Sequence, residues 1–183
     1  MSTEQRVVFA SGFESLFSRD LRAQVTPELD RELKACGVFL DKPFQAAYSI
    51  ETWAAAVEAT AKHLFPGEAR PVAYWKLGRS TIEGFAETLI GRASFGFLRL
   101  VGPVRSVERA ARTYASTNNY TKVTLNRVGP TSFDFHLNEK HTLPEYDMGV
   151  VEGVLEHVGA KTPVVTLSSQ DPEGFTLRLE WTS

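Results

Sequence analysis

The sequence predicts an α+β protein, with an N-terminal helical bundle packed on one face of a C-terminal four-stranded, largely antiparallel sheet. Three observations predict it. Apolar residues recur at helical spacing up to about residue 117, the pattern switches to alternation near Tyr120, and the last third reads strand, strand, helix, strand, strand. No repeat, low-complexity tract or linker interrupts the 183 residues. One domain over 1–183 is therefore expected, helical over about 11–117 and sheet-forming over about 118–183.

The elements follow from local chemistry. A short strand is expected at Val7 to Ala10, then one amphipathic helix over Gly12 to Ala23 that turns Phe13, Leu16, Phe17 and Leu21 inward. Thr26-Pro27-Glu28 starts the next helix with an N-cap, a proline at the first helical position and an acid; Gly37 stops it. Ser49 opens a helix carrying Trp53, Val57 and Leu64, thinned on one side by alanines from Ala54 to Ala61 and broken at Pro66-Gly67. From Pro71 to Val101 the helical pattern continues. Gly78 is expected to interrupt it and a Ser80-x-x-Glu83 capping box to restart it, giving helices around 70–77, 81–90 and 92–101. Gly102-Pro103 closes that block, and Val104 to Ser116 reads as one more helix.

The alternating segments Tyr120 to Val128 and Thr131 to Asn138 flank Gly129-Pro130 and so predict a hairpin. Pro144 to Val158 reads as a helix stopped at Gly159. Strands at Pro163 to Ser168 and Phe175 to Trp181 close the chain around the turn Asp171-Pro172-Glu173-Gly174. One sheet face should be apolar and rest on the helices, the other polar and either wet or covered by a partner.

Composition removes several function classes. With 43% hydrophobic and 23% charged residues the chain can build a core, which excludes disorder, collagen and coiled coil. A net charge of −2 lacks the basic excess of a dedicated nucleic-acid binder. Cys36 is the single cysteine, so no internal disulfide forms and a reducing, cytoplasmic setting is expected. The N-terminal apolar pieces are too short for a secretory core. The most hydrophobic stretch, Phe95 to Val101, contains Arg99, so no membrane span is expected.

Tyr146-Asp147-Met148-Gly149-Val150-Val151-Glu152-Gly153-Val154-Leu155-Glu156, followed by Gly159 and two strands, resembles the closing segment of a ligand-binding superfamily. That superfamily comprises heme nitric-oxide-binding (H-NOX) domains, four-vinyl-reductase domains and small subunits of the TRAPP tethering complex. A further resemblance covers nearly the whole chain, to a family of paralogues of unknown function abundant in myxobacteria. It is carried by Val8-Phe9, Gly12 to Phe17, Leu77-Gly78-Arg79, Thr88 to Arg92, Asn118 to Thr121 and Gly149 to Glu156. The superfamily resemblance implies helices on a four-stranded sheet, a cavity between them, and haem, aromatic, acyl or protein partners. H-NOX domains hold haem with a histidine and a Tyr-x-Ser-x-Arg clamp, and this sequence has no such clamp, so no cofactor is carried over. No zinc-ligating cysteines stand near the final strands, and Cys36 does not align with an acylated cysteine.

Candidate chemistry is sparse. His63, His136, His141 and His157 form no helical i, i+4 pair, so they read as surface or cap residues and no metal site is expected. A Gly-x-Ser-x-Gly elbow is missing, and Gly91-x-x-x-x-Gly96 lacks the Lys-Ser/Thr of a phosphate loop. Glu83 and Glu87 form a helical pair, but the capping box already accounts for Glu83. No catalytic residue is assigned, and the chain is read as not an enzyme.

Charge is more informative. Residues 70–112 hold eight Lys/Arg against three Asp/Glu. Arg105, Arg109 and Arg112 share one helical face, which reads either as a solvated surface or as a dock for an anion or a partner. The aromatic residues of the helical half read first as core. A pocket beside the alanine strip is the alternative, with Trp53, Trp75, Phe85 and Phe97 as its walls and Arg79 or Tyr114 at its polar end.

The function expected is a non-catalytic sensory or adaptor domain in bacterial signalling or regulation. It would take a small apolar or acidic ligand, a protein partner, or both, and form a homodimer. The alternatives are an interaction scaffold without a ligand and an enzyme of unrecognised type. No nucleic-acid partner is expected.

Overall fold

The computed structural model describes residues 5–17, 19–114, 117–140 and 143–182, with side chains for all of these except 19–20 and 110–114. Strand β1 (Val7–Phe9) leads into α1 (Ala10–Leu16) and α2 (Arg19–Ala23). The single helix expected from Gly12 to Ala23 is thus two, because Phe17 leaves the helical region (φ −101, ψ 43). Phe13, Leu16, Phe17 and Leu21 are nevertheless all buried.

Helix α3 (Pro27–Ala35) begins as its cap dictates, with Thr26 Oγ1 accepting from the Leu29 amide at 3.2 Å. Strand β2 (Ala47–Ser49) was not foreseen. It pairs antiparallel with β1, and Ser49 then caps α4 (Ile50–Leu64) by accepting from the Thr52 amide.

Helix α5 (Arg70–Glu87) corrects the expectation of a break at Gly78. It is continuous. The Ser80 hydroxyl donates to the Lys76 carbonyl at 3.0 Å instead of forming a capping box, and the Glu83 carboxylate reaches His157. The break falls at Thr88, whose hydroxyl oxygen accepts from the Gly91 amide at the start of α6 (Leu89–Tyr114). As expected, Gly102-Pro103 divides that block: Gly102 sits at φ 80, ψ 169, and α6 has two arms, 89–101 and 103–114.

Beyond this, β3 (Val123–Gly129) and β4 (Ser132–Leu137) form the expected hairpin, α7 (Pro144–His157) follows, and β5 (Lys161–Asp171) and β6 (Gly174–Thr182) complete the sheet. Its order is β3-β4-β6-β5, antiparallel throughout. Phe133, Phe135 and Leu137 pair with Leu179, Leu177 and Phe175 on the buried face. The opposite face carries Asp134 and Arg178, joined at 2.7 Å, and His136 beside Thr176.

Helix α7 is the middle layer. It places Val151 and Leu155 on the sheet, Tyr146 in the N-terminal core, and Val158, at its C-cap, against Phe95 and Ile82. Its other side touches α5 backbone to backbone. A Cβ at Gly78 would strike the Tyr146 carbonyl, one at Gly149 would strike the Trp75 carbonyl, and one at Gly153 would press on Ile82 at 3.2 Å.

Gly149→Ala should therefore cost upwards of about 3 kcal/mol, since backbone cannot rotate out of the way as a side chain does. Gly96→Ala, on an exposed helical position with nothing within 4 Å, should gain about 0.5–1 kcal/mol. Urea midpoints of the two variants check both signs.

Candidate functional site

The aromatic residues singled out from sequence take four different sets of neighbours. Trp53, on α4, is 7% exposed and wedged edge-on between Phe13 (centroids 5.0 Å apart) and Tyr146 (6.1 Å). It is a core residue.

Trp75 and Arg79 lie one turn apart on α5 and do meet, with the guanidinium 5.7 Å from the ring centroid. Both reach across to α7. The Trp75 indole donates to Glu152 at 3.2 Å, while Arg79 pairs with Glu152 (3.4 Å) and Glu156 (2.5 Å). Phe85 is edge-on to Phe95, which stacks on His157 at 4.6 Å. Phe97 is 53% exposed, with the Arg109 guanidinium 5.3 Å from its ring. Arg105 is exposed. The side chains of Tyr114 and Arg112 lie outside the described residues.

The structure thus joins Trp75 to Arg79 and Phe97 to Arg109, and gives Trp53 and Phe85 to packing. A cleft of about 180 Å³ does open between α4 and α5, lined by residues including Glu58, Phe65, Arg70 and Tyr74. Its polar groups are already matched: Glu58 accepts from the Tyr74 hydroxyl at 2.5 Å and from Arg70 Nε at 3.0 Å. Burial and then the Glu58 bond push the Tyr74 hydroxyl up to about 12.

One cluster was missed. Tyr120, Glu139 and Asp147 are 9%, 5% and 6% exposed, at the junction of the sheet and the first turn of α7. Burial, then the charge of Glu139 and its hydrogen bond, raise the Tyr120 hydroxyl far above its ordinary value. The loop before it is built by Asn118, whose Oδ1 accepts from the amides of Tyr120 (3.1 Å) and Thr121 (2.7 Å), and by Asn119, which accepts from the Val7 amide. The only signal in the sequence was that Asn118 to Thr121 carries part of the family resemblance.

A family model described as a protein of unknown function (DUF2378) matches residues 6–182. No curated protein matches the chain. Among solved structures it is similar to an H-NOX protein from S. oneidensis in the Fe(II)NO ligation state, at 13% identity and TM-score 0.70 over 96% of this chain and 99% of that one. It is also similar to an oxygen-binding H-NOX domain related to soluble guanylate cyclases, at 15% identity and TM-score 0.68 over 94% and 92%. A third H-NOX structure, from work on heme distortion, shares 14% identity at TM-score 0.70 over 95% of both chains. At such identities the likeness is one of fold.

Each of the three described histidines is held by a neighbouring side chain. His63 is bonded to Glu32, His136 sits on the polar sheet face with Thr176, and His157 lies between Phe95 and Glu83. His141 lies outside the described residues. Among those described, no three His, Cys, Asp or Glu side chains are grouped to hold a metal ion.

Two measurements check these placements. Trp53→Ala should cost about 3–5 kcal/mol as a core truncation. Phe97→Ser should stay within about 0.5 kcal/mol of the parent, as an exposed site does.

The second concerns pH. The Arg79 hydrogen bond holds the Glu156 carboxyl below its ordinary 4.5. A carboxylate lowered on folding stabilises above its unfolded pKa, and that contribution is lost as pH falls through the depressed folded value. Glu156→Gln should therefore flatten the acid limb of the stability curve below about pH 4.5, as followed by thermal unfolding.

Proposed function

We propose, from the premise that this chain belongs to the DUF2378 family of proteins of unknown function and carries the fold of H-NOX domains, that it is a non-catalytic sensory or adaptor domain. Its output is docking. The observation that carries this reading is the exposed surface of α6, where Phe97 and Leu100 stand in solvent at 53% and 86% exposure beside Arg105 and Arg109. Exposed large apolar side chains grouped with arginine are the composition of a binding surface.

The lowered carboxyls suit a non-catalytic role. The lowered carboxyls of Glu32, Glu58 and Glu156 follow from His63, Tyr74 with Arg70, and Arg79, which are structural partners between helices. An active site instead shifts groups that face a reacting atom. The solitary, half-buried Cys36 suits a reducing, cytoplasmic compartment.

A second reading keeps the small apolar or acidic ligand. It draws on the solved H-NOX structures, one of which is an oxygen complex. Against it, Trp53, offered by the sequence as a pocket wall, is packed edge-on against both Phe13 and Tyr146. A homodimer is the third.

Native mass spectrometry of the chain purified gently from its own host separates the first two. The expected spectrum has no stoichiometric small molecule. A bound small molecule retained at one per chain would overturn the docking reading in favour of the ligand reading.

A further inference from the structure

The first arm of α6 is apolar on both sides. Inward it packs Gly91, Phe95 and Leu98. Outward it presents Leu89 (78% exposed), Ile90 (72%), Phe97 (53%) and Leu100 (86%), with Ala93 and Gly96 between them. A helix with large apolar side chains on both its inner and its outer face is normally covered on both. The other exposed large apolar residues among those described, Val72, Val128, Val164 and Leu167, are spread over α5, β3 and β5.

Arginine borders this ridge on both edges. On a helical wheel Arg92 and Arg99 fall at one edge of the outer face, Arg92 exposed and Arg99 donating to the His157 carbonyl at 3.1 Å. At the other, the second arm of α6 brings Arg109 over Phe97, with Arg105 one turn before it. Glu108 is the one acid among the five arginines of α6. The occupant is therefore anionic, and a second copy is a poor match: with both edges basic, every face-to-face pairing sets arginine against arginine.

The side chains also project. A shape-matched protein would need a groove to receive Leu89 and Leu100, roughly 16 Å apart along the helix. A fluid bilayer receives them without one. We propose that the first arm of α6 seats this domain on an anionic lipid surface, with Leu89, Ile90, Phe97 and Leu100 entering the acyl boundary and Arg92, Arg105 and Arg109 meeting lipid phosphates. This identifies the partner in the docking reading above and rests on it.

The test is co-sedimentation of the full chain with vesicles of phosphatidylcholine alone and of phosphatidylcholine mixed with phosphatidylglycerol. The expected result is binding to the mixed vesicles only, weakening as salt rises, with each arginine contributing about fivefold in affinity. Leu89→Gln/Leu100→Gln and Arg105→Gln/Arg109→Gln should each lower binding about tenfold or more, with thermal unfolding unchanged because all four side chains are exposed.

Failure to bind either vesicle, or equal binding to both, would overturn the proposal. So would a dimer in sedimentation equilibrium that Leu100→Gln dissolves, which would give the ridge to a second copy. Those outcomes leave the docking reading standing. Its own failure shows separately, as a small molecule other than a phospholipid retained at one per chain in the native mass spectrum.

Discussion

The arrangement of this protein depends on the absence of two side chains. Gly78 on α5 and Gly149 on α7 face each other so closely that a Cβ on either would enter the opposite backbone. Because α7 also lies on the sheet through Val151 and Leu155, that contact decides how near the helical half stands to the sheet. The polar contacts are arranged around it. Trp75 and Arg79 flank Gly78 on α5, and their partners Glu152 and Glu156 follow Gly149 by three and seven residues on α7. The crossing sets the distance and the side chains fix the rotation. Neighbouring Tyr146 reaches inward from the same crossing to meet Trp53 and Thr81.

Whether a feature was legible in the sequence depended on the range of the interaction that decides it. Thr26 and Ser49 were readable as helix starts because a cap bonds an amide three residues away. The hairpin and the last two strands were readable because alternation is a local consequence of one buried face. Gly78 was not. Within its own helix a glycine is only a cost, and the neighbour that justifies it lies about seventy residues further on. Strand β2 failed for the same reason, since three residues carry no period and its partner β1 is distant in the chain.

The candidate site shows the same limit. Spacing marked Trp53, Phe85 and Phe97 alike as apolar positions, yet one is wedged in the core, one packs on a ring and one stands in solvent. Nothing in a single sequence separates Phe95, which faces inward on His157, from Phe97 two residues later, once a helix is apolar on both sides. The buried acids Glu139 and Asp147 were invisible for the opposite reason. By type they belong outside, and only the meeting of sheet, loop and α7 around Tyr120 puts them in.

The bend in α6 turns two separate sequence patterns into one surface. In a straight helix Phe97 and Arg109 would be separated by roughly 18 Å of rise, out of each other's reach. Gly102 supplies a left-handed φ of 80°, and Pro103 removes an amide that the helix would have used. Ser106 then lies 2.8 Å from the Gly102 carbonyl and 3.1 Å from that of Leu98, tying the second arm to the end of the first. The arginines at 105 and 109 were visible in the sequence as a helical face, whereas the apolar stripe of 89–100 was not, because the pattern predicts a break between Ile90 and Arg92. Nor was the adjacency of the two, because it depends on the angle at one glycine. A basic face alone is solvated and an apolar face alone is a packing surface, whereas the two edge to edge form a boundary suited to a partner with both characters.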